Sequence, residues 1–221
     1  MDTGTDPSHS PPFETRRRDR NAKRDAVLRA AVQLFLEQGY HRATLNEVAE
    51  RLNITKPALY NYFRGKDAIL FECWTIGQEA VFGCIAAIEG GGGTGLARLR
   101  KLVAGYATLM TTDYGRSLVR FDVRDLSERD GAAVRAAKRR IDTVFRGYIV
   151  AGIADGSILP CDEKLTAFTI AGSLNWIGHW YRPDGDLTPD EIAESFAERL
   201  TKGLAANTAR VRNNKKIGGS G

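Results

Sequence analysis

Three cysteines and three histidines are all that this 221-residue chain carries of the side chains that most often bind metals. Cys73, Cys84 and Cys161 are an odd number without paired or metal-ligand spacing, which excludes a disulfide framework or zinc motif and leaves them as small buried hydrophobes. His9, His41 and His179 are scattered over three regions, so no metal site is expected. Residues 67–200 hold no nucleophile elbow, no Walker loop and no H-E-x-x-H, so no catalytic residue and no cofactor are expected. No continuous apolar run reaches the roughly 18 residues of a membrane span. The first 24 residues are polar and arginine-rich, without an apolar segment or cleavage site. That excludes a secretory signal and leads to the expectation of a cytoplasmic protein with no membrane partner.

What the chain does have is 43% apolar residues, enough for a real core, and positive charge that is unevenly spread. The net charge is +5, yet residues 15–66 carry 12 Lys and Arg against 5 Asp and Glu, residues 200–221 carry 5 against 0, and residues 67–199 carry 15 against 19. Basic charge concentrated in two segments on either side of an acidic middle, the larger share in residues 15–66, is the electrostatic footprint of a nucleic-acid binder. A solvated terminus has the same composition, so the charge has to be read together with the local pattern.

That pattern is sharpest from Thr44 to Phe63, TLNEVAERLNITKPALYNYF. Leu45, Val48, Ala49 and Leu52 recur at helical spacing, and Thr44 with Glu47 makes a capping box, so a short helix starts at Thr44. Asn53 stands where the chain must turn and tolerates a left-handed backbone better than any residue except glycine. Thr55 is the next N-cap, with Lys56 and Pro57 in the first turn of a second helix, where a proline's missing amide proton costs nothing. On that helix Leu59 and Phe63 face inward, Pro57, Ala58 and Asn61 point away, and Tyr60 and Tyr62 flank them. Asparagine can bond adenine bidentately, small apolar groups touch a thymine methyl, and tyrosine hydroxyls with Lys56 hold phosphates. The expected partner is double-stranded operator DNA in a helix-turn-helix geometry, met by Thr44, Thr55, Lys56, Pro57, Ala58, Tyr60, Asn61, Tyr62 and Lys66. An ordinary helical hairpin whose tyrosines cover a core edge would carry the same residues.

The run from Arg24 to Phe71, RDAVLRAAVQLFLEQGYHRATLNEVAERLNITKPALYNYFRGKDAILF, resembles the N-terminal domain of the TetR family of transcriptional regulators. Its marks are Ala30, Ala31, Leu34, Phe35, Gly39 and Tyr40, then Thr44, Val48 and Ala49, then the LYNYF segment from Leu59. Two positions depart from the family pattern: Asn53 stands where glycine is usual, and Gly65 where serine or proline usually precedes the lysine. Both residues suit a turn or cap. The resemblance implies an all-α protein, with an N-terminal three-helix helix-turn-helix domain and a C-terminal helical domain for ligand binding and dimerisation. It further implies a homodimeric repressor in which a small-molecule inducer spreads the two reading heads out of register with DNA. The stretch from Asn175, NWIGHWYRPDGDLTPDEIAESFAERLTKGL, is similar to family members that control fatty-acid, acyl-CoA or steroid catabolism.

Taken in order, residues 1–19 are expected to be a disordered arm, whose basic run Arg16, Arg17, Arg18 continues into Arg20, Lys23 and Arg24 and can lie against phosphates. Residues 20–66 form the DNA-binding domain, opening with a helix from about Asn21 to Gln38 that Gly39 ends. Residues 67–205 form the helical body. Its first helix opens at Gly65 and reaches about Glu89, with Ile69, Cys73, Ile76, Ala80, Cys84 and Ala87 on one face; at 1.5 Å per residue it spans roughly 36 Å and joins the two domains. Gly90, Gly92 and Gly95 spell G-x-G-x-x-G, but an amphipathic helix precedes them and no β-rich run lies nearby, so they are a helix connection and not a dinucleotide turn. Further helices are marked by Leu99 to Met110, by Arg116 to Phe121, by the Ser127 and Asp130 cap, by Asp162 ahead of an almost wholly apolar helix, and by Thr188, Pro189 and Glu191. Residues 206–221, with Arg210, Arg212, Lys215 and Lys216, are expected to be a disordered basic tail.

Within the body, Tyr106, Met110, Phe121, Trp176 and Trp180 are candidates to line an apolar ligand pocket, with Arg120, Arg124, Asn175 and His179 as its polar anchors. Each of these aromatics is equally a residue for ordinary core. The nearly all-apolar helix is hard to bury in a body this small, so Phe168, Ala171, Leu174 and Ile177, with Ile192, Phe196 and Leu200 of the last helix, are expected to face a second copy. The functional expectation is a repressor released by an amphipathic ligand such as an acyl-CoA. The alternatives are a repressor answering to an aromatic or cationic hydrophobic compound and, from another class, a helical enzyme or protein-binding adaptor.

Overall fold

The computed structural model describes residues 12–206, and side chains from residue 18 onward. Among the described residues the elements are α1 (Pro12–Gln38), α2 (Leu45–Arg51), α3 (Lys56–Tyr60), α4 (Lys66–Gly90), α5 (Gly95–Thr111), α6 (Asp113–Arg120), a 3-10 turn (Val123–Asp125), α7 (Glu128–Ala154), α8 (Glu163–Trp180) and α9 (Pro189–Lys202). They make an all-α fold whose only β pairing among those residues is one bridge, Ile158 to Ala205. The chain divides into two compact units, Met1–Cys73 and Trp74–Gly221, with the division inside α4.

The first unit is built on α1. Leu28, Ala31, Val32, Leu34 and Phe35 of α1 are buried, as are Val48 of α2 and Leu59 of α3, with α1 packed on α2 and α2 on α3. Burial of each large side chain is worth about 1.5–3 kcal/mol, which fixes the two short helices that could not stand alone. Gly39, at φ 88, ends α1 with its amide donating to Phe35 O at 2.9 Å. The helix begins earlier than expected, at Pro12, so residues 12–19 are helical and not a disordered arm. Proline at a first position loses no helical bond, and nothing from Phe13 to Asn21 stops a helix; the apolar period starts only near Val27 and so marks the start too late. Residues 1–11 and the basic tail with Arg210, Arg212, Lys215 and Lys216 lie outside the described residues.

In the second unit α5 is central, packed by α6, α7, α8 and α9. Leu99, Leu102, Val103, Ala107 and Met110 are fully buried on it. Gly95 is in contact with the backbone of Gly152, so α5 and α7 cross without an intervening side chain. This close approach, with Thr94 capping α5, is the role of the last glycine in the Gly90–Gly95 connection.

Three expectations need correction here. On α4 the buried series is Ile69, Leu70, Cys73, Trp74, Gly77, Val81, Ile85 and Ile88, while Ala80 and Ala87 are exposed and Ile76 and Cys84 half-buried. On a helix this apolar, alanine and cysteine fit either face, and the heavier side chains decide. Second, α6 starts at Asp113 under a Thr112 cap and ends at Arg120, ahead of the Arg116–Phe121 span read from sequence. Third, the tail expected to be disordered from residue 206 is paired at its first residue: Ala206 N donates to Ser157 O at 3.1 Å, next to the bond of 2.8 Å from Leu159 N to Leu204 O. By length and composition alone α4 could cross a membrane, at mean hydropathy 1.3, although it lacks a wholly apolar run. The buried series just given is the core-helix explanation of the same composition.

Candidate nucleic-acid interface and ligand cavity

The two short helices of the first unit are set by their caps. Thr44 Oγ1 accepts from Glu47 N at 3.3 Å while Thr44 N donates to Glu47 Oε2 at 2.7 Å, a complete capping box. The Thr44 hydroxyl, donating to Glu47 Oε2 at 2.8 Å, and then the Thr44 amide hold the Glu47 carboxyl below the ordinary carboxylate range. Asn53 takes φ 51, the left-handed turn expected of it, and Thr55 Oγ1 accepts from Ala58 N at 3.4 Å to cap α3. Arg51 ties α2 to α1 through both oxygens of Glu37, at 3.1 and 2.7 Å.

α3 is a single five-residue segment that ends at Tyr60, so Asn61 is its C-cap and Tyr62 lies in the following turn, not on the helix itself. Leu59 and Phe63 are buried, whereas Lys56, Pro57, Tyr60 and Asn61 are exposed and Ala58 and Tyr62 half-buried. Tyr60 keeps 43% of its surface in solvent, a large aromatic that the unit leaves uncovered. Thr44, Asn46, Lys56 and Tyr60 ring a shallow depression of about 430 Å³ with Tyr40 and Lys66 at its edge. Asn46, exposed beside the Thr44 cap, was missed by the sequence reading; its place one residue inside α2, next to a cap, is the signal that could have found it. Lys66 also makes contacts within the unit: its ammonium donates to Ala43 O at 2.9 Å and His41 O at 3.2 Å and lies 4.7 Å from the Tyr40 ring centre, so it braces the α1–α2 turn.

In the second unit a cavity of about 200 Å³ lies among α4, α5, α6, α7 and α8. Its walls are Trp74, Gln78 and Val81 from α4, Tyr106 from α5, Leu118 and Val119 from α6, Lys138, Ile141, Asp142 and Phe145 from α7, and Ala167, Phe168, Ala171 and Asn175 from α8. Tyr106 donates its hydroxyl proton to Asn175 Oδ1 at 3.1 Å, and burial pushes its phenol up to about 12, so it stays a neutral donor. Lys138 lies 4.8 Å from the Trp74 ring centre, and burial pulls its ammonium below the ordinary value. Asp142 on the same rim is already engaged by Arg146 at 2.7 Å.

Of the residues expected in a pocket, the structure brings Tyr106 and Asn175 together on this cavity and leaves the others off it. Met110 and Phe121 are buried in the core elsewhere. Arg120 Nε donates to Gly178 O at 2.9 Å and its Nη2 to His179 O at 2.8 Å, so it caps the end of α8. Arg124 is 89% exposed and bonded to Asp122, whose carboxyl that bond pulls down to about 2. Trp176, His179 and Trp180 lie on the outer side of α8, with Trp176 63% exposed and its ring centre 5.1 Å from that of His179 at a tilt of 35°.

The expected self-association residues divide as well. Phe168 is 52% exposed, but Leu174, Ile177 and Ile192 are at most 2% exposed and already packed inside the unit, so they have no surface to offer a second copy. Ala171, Phe196 and Leu200 are half-buried. The apolar outer face of α8 is instead Leu165, Phe168, Trp176 and Trp180. A helix apolar all round carries no asymmetry from which inside and outside can be told. Lys138 was legible: it falls on the apolar stripe Val134, Ile141, Phe145 at helical spacing, a charge where the pattern asks for a hydrophobe.

Compared with known proteins, residues 27–73 match the model of bacterial regulatory proteins of the tetR family, and residues 92–204 match that of the tetracyclin repressor-like C-terminal domain. The chain belongs to the TetR family. The HTH-type transcriptional regulator HbdR of Aromatoleum sp. (strain CIB) is 39% identical over 169 residues, covering 72% of this chain and 70% of that protein. The ketosteroid transcriptional regulator KstR2 of Mycobacterium tuberculosis has a similar structure, with TM-score 0.78 at 20% identity over 84% of this chain and 96% of that one. AibR, solved in complex with isovaleryl coenzyme A and operator DNA, superimposes with TM-score 0.71 at 24% identity over 80% and 97% of the two chains. This TetR-family protein is a DNA-binding transcriptional regulator and not an enzyme.

Proposed function

We propose that this TetR-family regulator is a cytoplasmic homodimeric repressor that an amphipathic ligand carrying an anionic group, an acyl-CoA or related carboxylate, releases from its operator. The observation that carries the ligand class is the cavity: apolar walls, one hydrogen-bonded Tyr106–Asn175 pair, and Lys138 as a cation whose only resolved carboxylate interaction among the described residues is with Asp122, a group already bonded to Arg124. Lys138 takes the place of Arg120 and Arg124 as anion anchor. In the first unit Lys56 and Tyr60 hold phosphates, while Ala58 and Asn61 face base edges. Self-association uses the outer face of α8, around Leu165, Phe168 and Trp176, flanked by Phe196 and Leu200. That face supports the reading because large apolar side chains are left in water by one copy alone.

The ligand switches the protein only by favouring the state that cannot bind DNA. Moving a 1:99 balance to 99:1 takes about 5.5 kcal/mol of differential affinity. The test is fluorescence anisotropy on the gene's own promoter, first across a salt series and then on titration with acyl-CoAs of several chain lengths, with phenolic and cationic hydrophobic compounds as rivals. Release by acyl-CoAs and not by the rivals is the expected result. Release by the rivals alone overturns the ligand class, and the absence of any salt-dependent binding overturns the DNA reading.

A further inference from the structure

The cavity around Lys138 is small. An enclosed apolar space of about 150 Å³ holds a single benzene ring, whereas sites for larger ligands measure about 300–1,000 Å³. At about 200 Å³ the chamber takes one ring or a short chain and no more. A second cavity of about 250 Å³ lies beside it between α4 and α5, walled by Ala80, Cys84, Leu102, Thr108 and Leu109. Tyr106 and Val81 line both chambers, so the two share a wall made of these side chains. Val81 is short and stiff, but Tyr106 is long and turns about χ1. The Tyr106 ring is held in place by one hydrogen bond to Asn175 at 3.1 Å and an edge-to-face contact with Phe145 at 5.9 Å.

We propose that the two chambers are one bipartite site with Tyr106 as its movable partition, and that the ligand is an elongated carboxylate whose head meets Lys138 beside Trp74 and whose apolar tail passes Tyr106 into the second chamber. The inference rests on the ligand reading above and adds the length of the ligand and the residue that selects it. Continuity is what assigns the occupant: the second chamber is apolar, adjoins the first across one side chain, and offers no charged group of its own for a different ligand. Seating the tail exchanges the Tyr106–Asn175 bond for apolar burial, so chains too short to reach the partition leave that bond intact.

The test measures direct binding by calorimetry to the full chain, apart from any DNA, with hexanoate and palmitate as probes. Palmitate binds the wild type at least tenfold more tightly than hexanoate. Ala80→Trp, which fills the outer chamber from an exposed position, removes most of that advantage and leaves hexanoate as it was. Tyr106→Phe keeps the ring but frees it from Asn175, and raises the palmitate-to-hexanoate ratio severalfold. Circular dichroism on each variant shows that it is folded. Equal affinity of the wild type for the two probes, or a ratio unmoved by both variants, overturns the partition. Palmitate that binds in this way without releasing DNA leaves the bipartite site standing and counts against the repressor-release reading instead.

Discussion

α3 and α8 each leave aromatic side chains in water, and the company those side chains keep differs. On α3 the exposed Tyr60 stands with Lys56, Pro57 and Asn61, a small polar face framed by capped helix ends. On α8 the exposed Trp176 stands with Leu165, Phe168 and Trp180, a face with almost nothing to offer a phosphate. The first face suits a charged, hydrated partner and the second an apolar one, so the same residue class offers two different surface chemistries. Exposure of an aromatic does not by itself name a partner; its neighbours set the chemistry of any partner it could take.

The largest expected effect tests the two sides of α8 against one another. Leu174→Ala, inside the unit, costs about 2–5 kcal/mol of unfolding free energy by denaturant titration. Trp176→Glu, on the outer face, leaves the protomer folded but weakens self-association by about 2–4 kcal/mol in sedimentation equilibrium. Equal unfolding losses for the two variants would break the distinction between the faces.

Next in size is the reading face. Asn61→Ala lowers affinity for the operator by about 1–3 kcal/mol and leaves random DNA unchanged, whereas Lys56→Ala weakens both alike and reduces the salt slope by about 1. Equal losses on operator and random DNA for Asn61→Ala would remove it from base reading. Thr44→Ala, which opens the capping box of α2, lowers stability by about 1 kcal/mol, a loss that thermal melts resolve.

The smallest effect is a pH dependence in the second unit. Asp155 is held below the ordinary carboxylate value by the Ser157 side chain and then by the amides of Gly95, at 2.7 Å, and Ser157, at 2.9 Å. A depressed carboxylate stabilises above its unfolded value, near 3.8, and that stabilisation is lost as pH falls through the lower folded value. The difference in melting temperature between wild type and Asp155→Ala is therefore constant from neutral pH down to about 4 and narrows below it. A gap that widens on acidification would contradict the sign.

Much of the first unit was legible in the sequence because its determinants are local. Caps at Thr44 and Thr55, the left-handed Asn53, and the stop at Gly39 each act within four residues, and every one stands where the pattern put it. The same holds for the helix starts at Ser127, Asp162 and Thr188. The length of α3 was not legible, because the buried pair Leu59 and Phe63 stands at helical spacing although the helix ends at Tyr60.

The order of the helices and their caps thus came from the amino-acid sequence by itself, since hydrogen bonds between neighbours in the chain and helical period are short-range facts. Which side of α4 and α8 is inside, which residues wall the cavity, and that Arg120 braces a helix end while Lys138 meets the cavity were decided only by tertiary structure. α4, α7 and α8 bring Trp74, Lys138 and Asn175 to one space from positions far apart in the chain, and a helix apolar on every side holds no record of which side its neighbours will cover.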